Sequence, residues 1–197
     1  MLIFWDQKLV FLATPKAGST AIEMALESLA SVALQRPAPL KHLTAAAYHA
    51  HMAPLLAQSG GTSFTTVALI REPLGWLRSW YRFRQRDDFE DPDHAVQGVS
   101  FEQFARDYMA ETPPPHAAIG TQAAYLTDAE GRRNVDQIFR YEEIENFVHF
   151  LEDRLDCAIT LPWVNVPPKA DVALSAETEA ALRRHMARDF ALYDAVG

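Results

Sequence analysis

The sequence predicts an α/β fold, a mainly parallel central sheet flanked by helices. Short apolar runs of strand length alternate with stretches whose apolar residues recur at helical spacing, the pattern of a sheet covered on its faces. Two of those runs end abruptly on a cation, Lys16 after the first glycine-containing turn begins and Arg71 after a β-branched run. The chain has 197 residues, 49% of them hydrophobic and 22% charged, which is enough for one sizeable core. No internal repeat, low-complexity tract or interdomain linker divides it.

In chain order, residues 2–5 and 8–13 are candidate strands joined at Asp6-Gln7. A helix follows, with Ile22, Ala25, Leu26 and Leu29 as its buried stripe. The alanine-rich stretch 45–57 either packs on the sheet or forms a face for a second copy. Thr65 to Ile70 reads as a strand, and a helix begins at or after Pro73. On that helix Gly75, Ser79, Arg82 and Arg86 share a polar face, while Trp76, Trp80 and Phe83 share a face expected in the core. Ile144, Phe147, Val148, Leu151 and Leu155 mark a later helix, and Ser175 caps a last one lined by Leu182, Met186, Phe190 and Tyr193. Pro113-Pro114-Pro115 and Pro167-Pro168 mark loops.

The turn at Pro15-Lys16-Ala17-Gly18-Ser19-Thr20 joins a strand to a helix N-terminus. It gathers backbone N–H groups, a positive dipole end and a lysine, the chemistry of a phosphate site and hence of a phosphorylated nucleotide. The lysine precedes the glycine, and the loop is too short for a Walker A motif, which disfavours ATP hydrolysis. Arg71 stands where a Walker-type NTPase commonly carries its metal-directing aspartate, so a second phosphate suits it better than Mg²⁺. Thr20 has two readings, a phosphate ligand or the start of a Thr20-Ala21-Ile22-Glu23 capping box.

Net charge is −8, the wrong sign for a general binder of nucleic acid or anionic membrane. Locally, Arg71, Arg78, Arg82, Arg84 and Arg86 make a basic patch beside Asp87, Asp88, Glu90, Asp91 and Asp93. Cys157 is the single cysteine, which excludes an intrachain disulfide or a multi-cysteine metal site and suits a reducing compartment. The first residues lack a basic leader, and no apolar run approaches membrane-spanning length, so a soluble cytoplasmic protein is expected.

The Pro15 to Thr20 turn, together with Arg71 and Ser79, resembles the sulfotransferases that use 3′-phosphoadenosine 5′-phosphosulfate (PAPS), in particular the carbohydrate-type branch and its bacterial relatives. Gly120-Thr121-Gln122 before Tyr125-Leu126, the segment Phe139-Arg140-Tyr141-Glu142, Asn165 and a closing helix with Asp189-Phe190 are similar to later blocks of that family. The resemblance implies a single P-loop-like domain spanning 1–197. It implies a 5′-phosphosulfate loop at Pro15, Lys16, Ala17, Gly18, Ser19 and Thr20, and a 3′-phosphate pair at Arg71 and Ser79. Tyr141 would touch adenine or serve as core. Ala17 departs from the family, where Thr or Ser is more common. Many carbohydrate sulfotransferases are membrane-anchored, and the cytoplasmic expectation departs from that pattern too.

Sulfuryl transfer by such a site needs in-line geometry and stabilisation of the leaving oxygen rather than a metal. Lys16 fits that role. His42, in a Leu40-Lys41-His42 segment similar to one in bacterial relatives, is the candidate base, and Glu23 and Gln122 are further cleft candidates. The acceptor would be a hydroxyl of a carbohydrate or small molecule, with no nucleic acid or membrane partner. Two other classes compete: a PAPS-binding protein without transferase activity, and a P-loop small-molecule kinase. A single-stranded nucleic-acid platform on Trp76, Trp80 and Phe83 is disfavoured by the core-like stripe and the acidic charge.

Overall fold

The computed structural model describes residues 1–60, 63–86, 92–162 and 170–196. Its strands are β1 (Leu2–Phe4), β2 (Leu9–Leu12), β3 (Val32–Ala33), β4 (Thr65–Ile70) and β5 (Gln137–Arg140), in the sheet order β3-β1-β2-β4-β5. The helices are α1 (Ser19–Leu26), α2 (Ala38–Lys41), α3 (Ala45–Ala47), α4 (Ala53–Gly60), α5 (Pro73–Arg84), α6 (Phe101–Tyr108), α7 (Gln122–Leu126), α8 (Ile144–Leu155), α9 (Ala176–His185) and α10 (Ala187–Asp194).

The sheet is mixed, not mainly parallel. β1 pairs antiparallel with both β2 and β3, whereas β2 with β4 and β4 with β5 are parallel. The reason is chain length. Four residues between β1 and β2 suffice for a hairpin, and a parallel partner would need a crossover of a dozen residues or more. The two crossovers that do exist, through α1 to α4 and through α5 to α7, build the parallel half. That half brings the carboxyl ends of β2, β4 and β5 to one edge, with Leu12 opposite Ala68 and Ile70 opposite Arg140.

Both faces of the sheet are buried, so its strands read as continuous apolar runs. Leu2, Phe4, Leu9, Phe11, Val67 and Leu69 face α1 and α8, where Phe147 is fully buried against Phe11 and Phe139. On the other face Ile3, Val10, Leu12, Ala68 and Ile70 meet Ala45, Tyr48, Leu56 and Leu126. The alanine-rich stretch thus packs on the sheet. A second core, around Trp76, Leu77, Phe104 and Leu182, joins α5, α6 and α9. The start of β4 is pinned by Asp136, whose Oδ2 accepts from the Thr66 amide at 2.7 Å and from its hydroxyl at 2.8 Å.

Two helical stripes differ from expectation. Helix α1 ends at Leu26 and the chain tightens into a 3₁₀ turn over Glu27–Leu29, which rotates Leu29 out to 52% exposure. The last helix is two, broken at Met186, although Ser175 caps α9 as expected by accepting from the Thr178 amide at 3.1 Å. Asp87, Asp88, Glu90, Asp91, Asn165 and Pro167-Pro168 lie outside the described residues.

The contrast between these positions is measurable. Phe147→Ala should cost about 3–5 kcal/mol of unfolding free energy through lost burial and a cavity. Leu29→Ala should stay within about 0.5 kcal/mol. Urea denaturation of the two variants beside the wild type checks the pair, and equal losses would contradict the packing described here.

Candidate functional site

The site begins where β2 runs out. After Leu12 the chain enters a turn in which Lys16 has φ 61° and Gly18 φ 81°, both left-handed. Glycine adopts that conformation freely, while for Lys16 it is an uncommon backbone state that surrounding contacts must hold. Those contacts are on hand. The Trp76 indole N–H donates to the Pro15 carbonyl at 2.8 Å, and Arg71 Nη1 donates to the Lys16 carbonyl at 3.3 Å. Tyr141 lies against Gly18 so closely that a Cβ there would sit 2.7 Å from its ring.

Gly18 is the N-cap of α1, and no side chain caps the helix. The Ala21 amide donates to the Gly18 carbonyl at 3.1 Å, while the Ser19 and Thr20 amides before it have no intrahelical partner. The capping box expected at Thr20 does not form. Helix α1 starts one residue before Thr20, and Glu23 is drawn away, buried in contact with Lys41 Nζ at 2.7 Å and the Met1 ammonium at 3.2 Å. Glu23 is thus an ion-pair partner rather than a cleft group. Ser19 is buried in the first turn and Thr20 is half-buried. Ala17 is buried with its methyl in the core beside the sheet, so only its backbone is available to a ligand.

Arg71 follows β4, and its guanidinium sits 4.6 Å from the centre of the Tyr141 ring. Gln122, fully buried on α7, clamps the Arg71 peptide from both sides. Its Oε1 accepts from the Arg71 amide at 2.9 Å and its Nε2 donates to the Arg71 carbonyl at 2.7 Å. The expected cleft role for Gln122 is a structural one. Ser79, half-buried, is one turn beyond Gly75, where a Cβ would come within 3.6 Å of Arg71 Nε. The face of α5 bearing Ser79 therefore borders the arginine. Glu72 starts this helix by accepting from the Gly75 amide at 2.6 Å.

The Lys16 ammonium rests 3.6 Å from the centre of the Phe83 ring and 5.5 Å from that of Trp80. Trp76 is core as expected, but Trp80 and Phe83 are half-buried and form the bed of this lysine. Their helical spacing gave no sign of this, because a stripe of aromatics reads as core until the cation above it is placed. Among the described residues Lys16 makes no ion pair and Arg71 none with a carboxylate. Burial, and then the charges of Arg71, Arg86, Lys41 and Arg84, pull Lys16 down from 10.5 to about 7. Burial also lowers Arg71. The ring faces offset part of this cost, and Lys16 and Arg71, with no carboxylate paired to either among the described residues, suit an anion.

His42 closes α2, and its Nδ1 lies 2.6 Å from the Ala13 carbonyl oxygen, three residues before Lys16. A carbonyl only accepts, so Nδ1 carries the proton and Nε2 keeps a lone pair. Burial holds His42 below its ordinary range, hence neutral near pH 7. The Arg84 guanidinium, also buried, donates to the Pro115 carbonyl at 2.9 Å and lies 5.4 Å from the Trp80 ring centre.

The predicted site residues therefore gather at one sheet edge: Pro15 to Thr20, His42, Arg71, Ser79 and Tyr141. A cavity of about 420 Å³ bounded by Tyr48, His49, Pro54 and Phe64 lies elsewhere, since Phe64 precedes the other end of β4. The Trp80 and Phe83 bed escaped the sequence reading as a site element, and Asp189 entered it only within the Asp189-Phe190 block. The latter carried a signal, a carboxylate spaced 7 residues from Leu182 and 4 from Tyr193 on an otherwise apolar stripe. Among the described residues no group of three or more His, Cys, Asp or Glu forms a metal-ligand cluster, and no helix is long and apolar enough to cross a membrane. Comparison with protein-family models, with curated proteins and with solved structures finds no match.

The lysine's burial has a pH signature. Between about 7 and 10.5 the unfolded chain binds a proton at Lys16 that the folded ligand-free protein has released, so stability rises with pH across that window. The difference in unfolding free energy between wild type and Lys16→Met should therefore shift toward the wild type as pH climbs from 7 to 10. A pH-independent difference would mean that the ammonium is solvated.

Proposed function

We propose that the protein is a PAPS-dependent sulfotransferase that moves a sulfuryl group to a hydroxyl of a carbohydrate or small-molecule acceptor. The observation that carries this reading is the meeting of Lys16 and Arg71, which follow adjacent parallel strands, beside the open end of α1, with no carboxylate paired to either among the described residues. A lysine and an arginine with no carboxylate paired to either among the described residues, together with helix amides, suit a ligand with two separated anionic groups. The P-loop-like character of the fold belongs to this same reading.

In it, Lys16 and the α1 amides hold the 5′-phosphosulfate, Arg71 and Ser79 the 3′-phosphate, and Tyr141 meets the adenine. Lys16 leaves its aromatic bed for the anion. As the acceptor oxygen bonds to sulfur, the bond from sulfur to the 5′-phosphate oxygen breaks, and Lys16 offsets the charge growing on that leaving oxygen. The acceptor's proton passes to Nε2 of His42, the nitrogen left with a lone pair by the bond to Ala13. Side-chain cations take the charge-stabilising part, so the transfer is metal-independent.

Thermal unfolding with 3′,5′-adenosine bisphosphate, the desulfated product, tests the donor site without knowledge of the acceptor. At a hundred times Kd the ligand adds about 2.7 kcal/mol, a rise of roughly 5–10 °C for a domain of this size. Arg71→Ala should abolish most of the rise, and adenosine 5′-monophosphate should give a smaller one. A rise with ATP and Mg²⁺ alone would overturn the reading in favour of a kinase.

His42→Ala separates transfer from binding. Turnover with saturating PAPS should fall by about 10²–10⁴ while the bisphosphate shift is kept. Unchanged turnover would remove His42 as the base.

A further inference from the structure

The corner that leads into α7 is held by groups that touch no predicted ligand. Tyr108 donates to the Gly120 carbonyl at 3.1 Å, and Thr121 Oγ1 accepts from the Ala124 amide at 3.1 Å. Asp189, on α10 and 1% exposed, accepts through Oδ1 from the Ala123 amide at 2.6 Å. Its other oxygen, Oδ2, is buried with no hydrogen-bond partner.

A carboxylate is an expensive way to hold one corner of a short helix. Burial pushes Asp189 up to about 6, and an orphan oxygen adds to the cost of keeping it there. An apolar residue at this place on the stripe would pack without that cost. What the carboxylate supplies is a fixed peptide between Gln122 and Ala123, and Gln122 is the residue whose side chain grips the Arg71 peptide on both its N–H and its C=O.

We infer that Asp189 is a positioning residue that sets the place of Arg71 through the backbone and then the side chain of Gln122. The path is contiguous: carboxylate to the Ala123 amide, through the Gln122–Ala123 peptide to the Gln122 side chain, from its amide group to the Arg71 peptide, and from Arg71 to the turn and the Tyr141 ring. Arg71 is half-buried and flanked by ring and backbone, so a displaced peptide carries the guanidinium off the Tyr141 face and off the Lys16 carbonyl. The consequence for a ligand rests on the proposed donor site; the placement of Arg71 does not.

Amide hydrogen exchange on the ligand-free protein tests the placement directly. Asp189→Ala should speed exchange at the Arg71 amide by about tenfold or more, the scale of one lost hydrogen bond, while the Val67 and Leu69 amides of β4 change less. Asp189→Asn keeps an oxygen for the Ala123 amide and should restore protection at Arg71. Should Asp189→Ala fail to fold, Asp189→Ser, whose hydroxyl is too short to reach, takes its place. Equal acceleration along β4, or none at Arg71, would overturn the inference, since a merely structural carboxylate loosens the whole strand or nothing near it.

The same variants are then titrated with 3′,5′-adenosine bisphosphate and adenosine 5′-monophosphate. Selective weakening of the bisphosphate, by about tenfold, with rescue by Asp189→Asn, extends the inference to the site. If the wild type binds neither nucleotide, the donor reading fails, and the exchange result still decides the role of Asp189.

Discussion

The turn between β2 and α1 exists in its observed form because three neighbours hold it. Lys16 cannot occupy a left-handed backbone state at no cost, and Gly18 can only because nothing but a hydrogen stands where the Tyr141 ring packs. The Trp76 indole on the Pro15 carbonyl and the Arg71 guanidinium on the Lys16 carbonyl supply the compensation. Each of these partners comes from a different part of the chain: Arg71 from the end of β4, Trp76 from the first turns of α5, Tyr141 from the turn after β5. The turn and the parallel half of the sheet therefore form together, since only adjacent parallel strands bring those ends to one edge.

Charge at this edge follows from the same geometry. A lysine on an open turn would be hydrated and balanced by solvent. Here it lies on two aromatic rings with arginines in range and, among the described residues, no carboxylate paired to it, and its proton affinity falls accordingly. Glu23, the nearest acid in sequence, is spent on Lys41, and Glu72 on the start of α5. Acidic residues outnumber basic ones in the chain, so the imbalance is local and built by placement, not by composition. His42 is affected by the same crowding: burial lowers its proton affinity, and the Ala13 carbonyl selects the tautomer whose Nε2 keeps a lone pair.

Much of this was legible in the sequence where local physics decides. β-branched runs marked β4, whose bounds agree with the expected strand, and the hydroxyl at Ser175 announced the start of α9. The cations at strand ends were legible too, because a strand that stops at a charge must have reached an edge. The antiparallel half of the sheet was legible as well, since Trp5 to Lys8 is too short for anything but a hairpin. Leu29 was placed on a buried stripe by extrapolating helical periodicity past the point where α1 tightens.

By itself the sequence determined the α/β class, the strand-turn-helix at Lys16 and Gly18, and the spacing that puts cations after β2 and β4. These depend on residues near one another in the chain, whose conformational preferences act whether or not the rest has folded. Only the tertiary structure decided what those residues meet. That Phe83 and Trp80 lie under a lysine rather than in the core, that Gln122 grips a backbone 51 residues away, and that Asp189 is buried behind it are all contacts between distant segments. Such contacts carry no local periodicity, because their partners are chosen by the packing of the sheet edge and not by their neighbours in sequence.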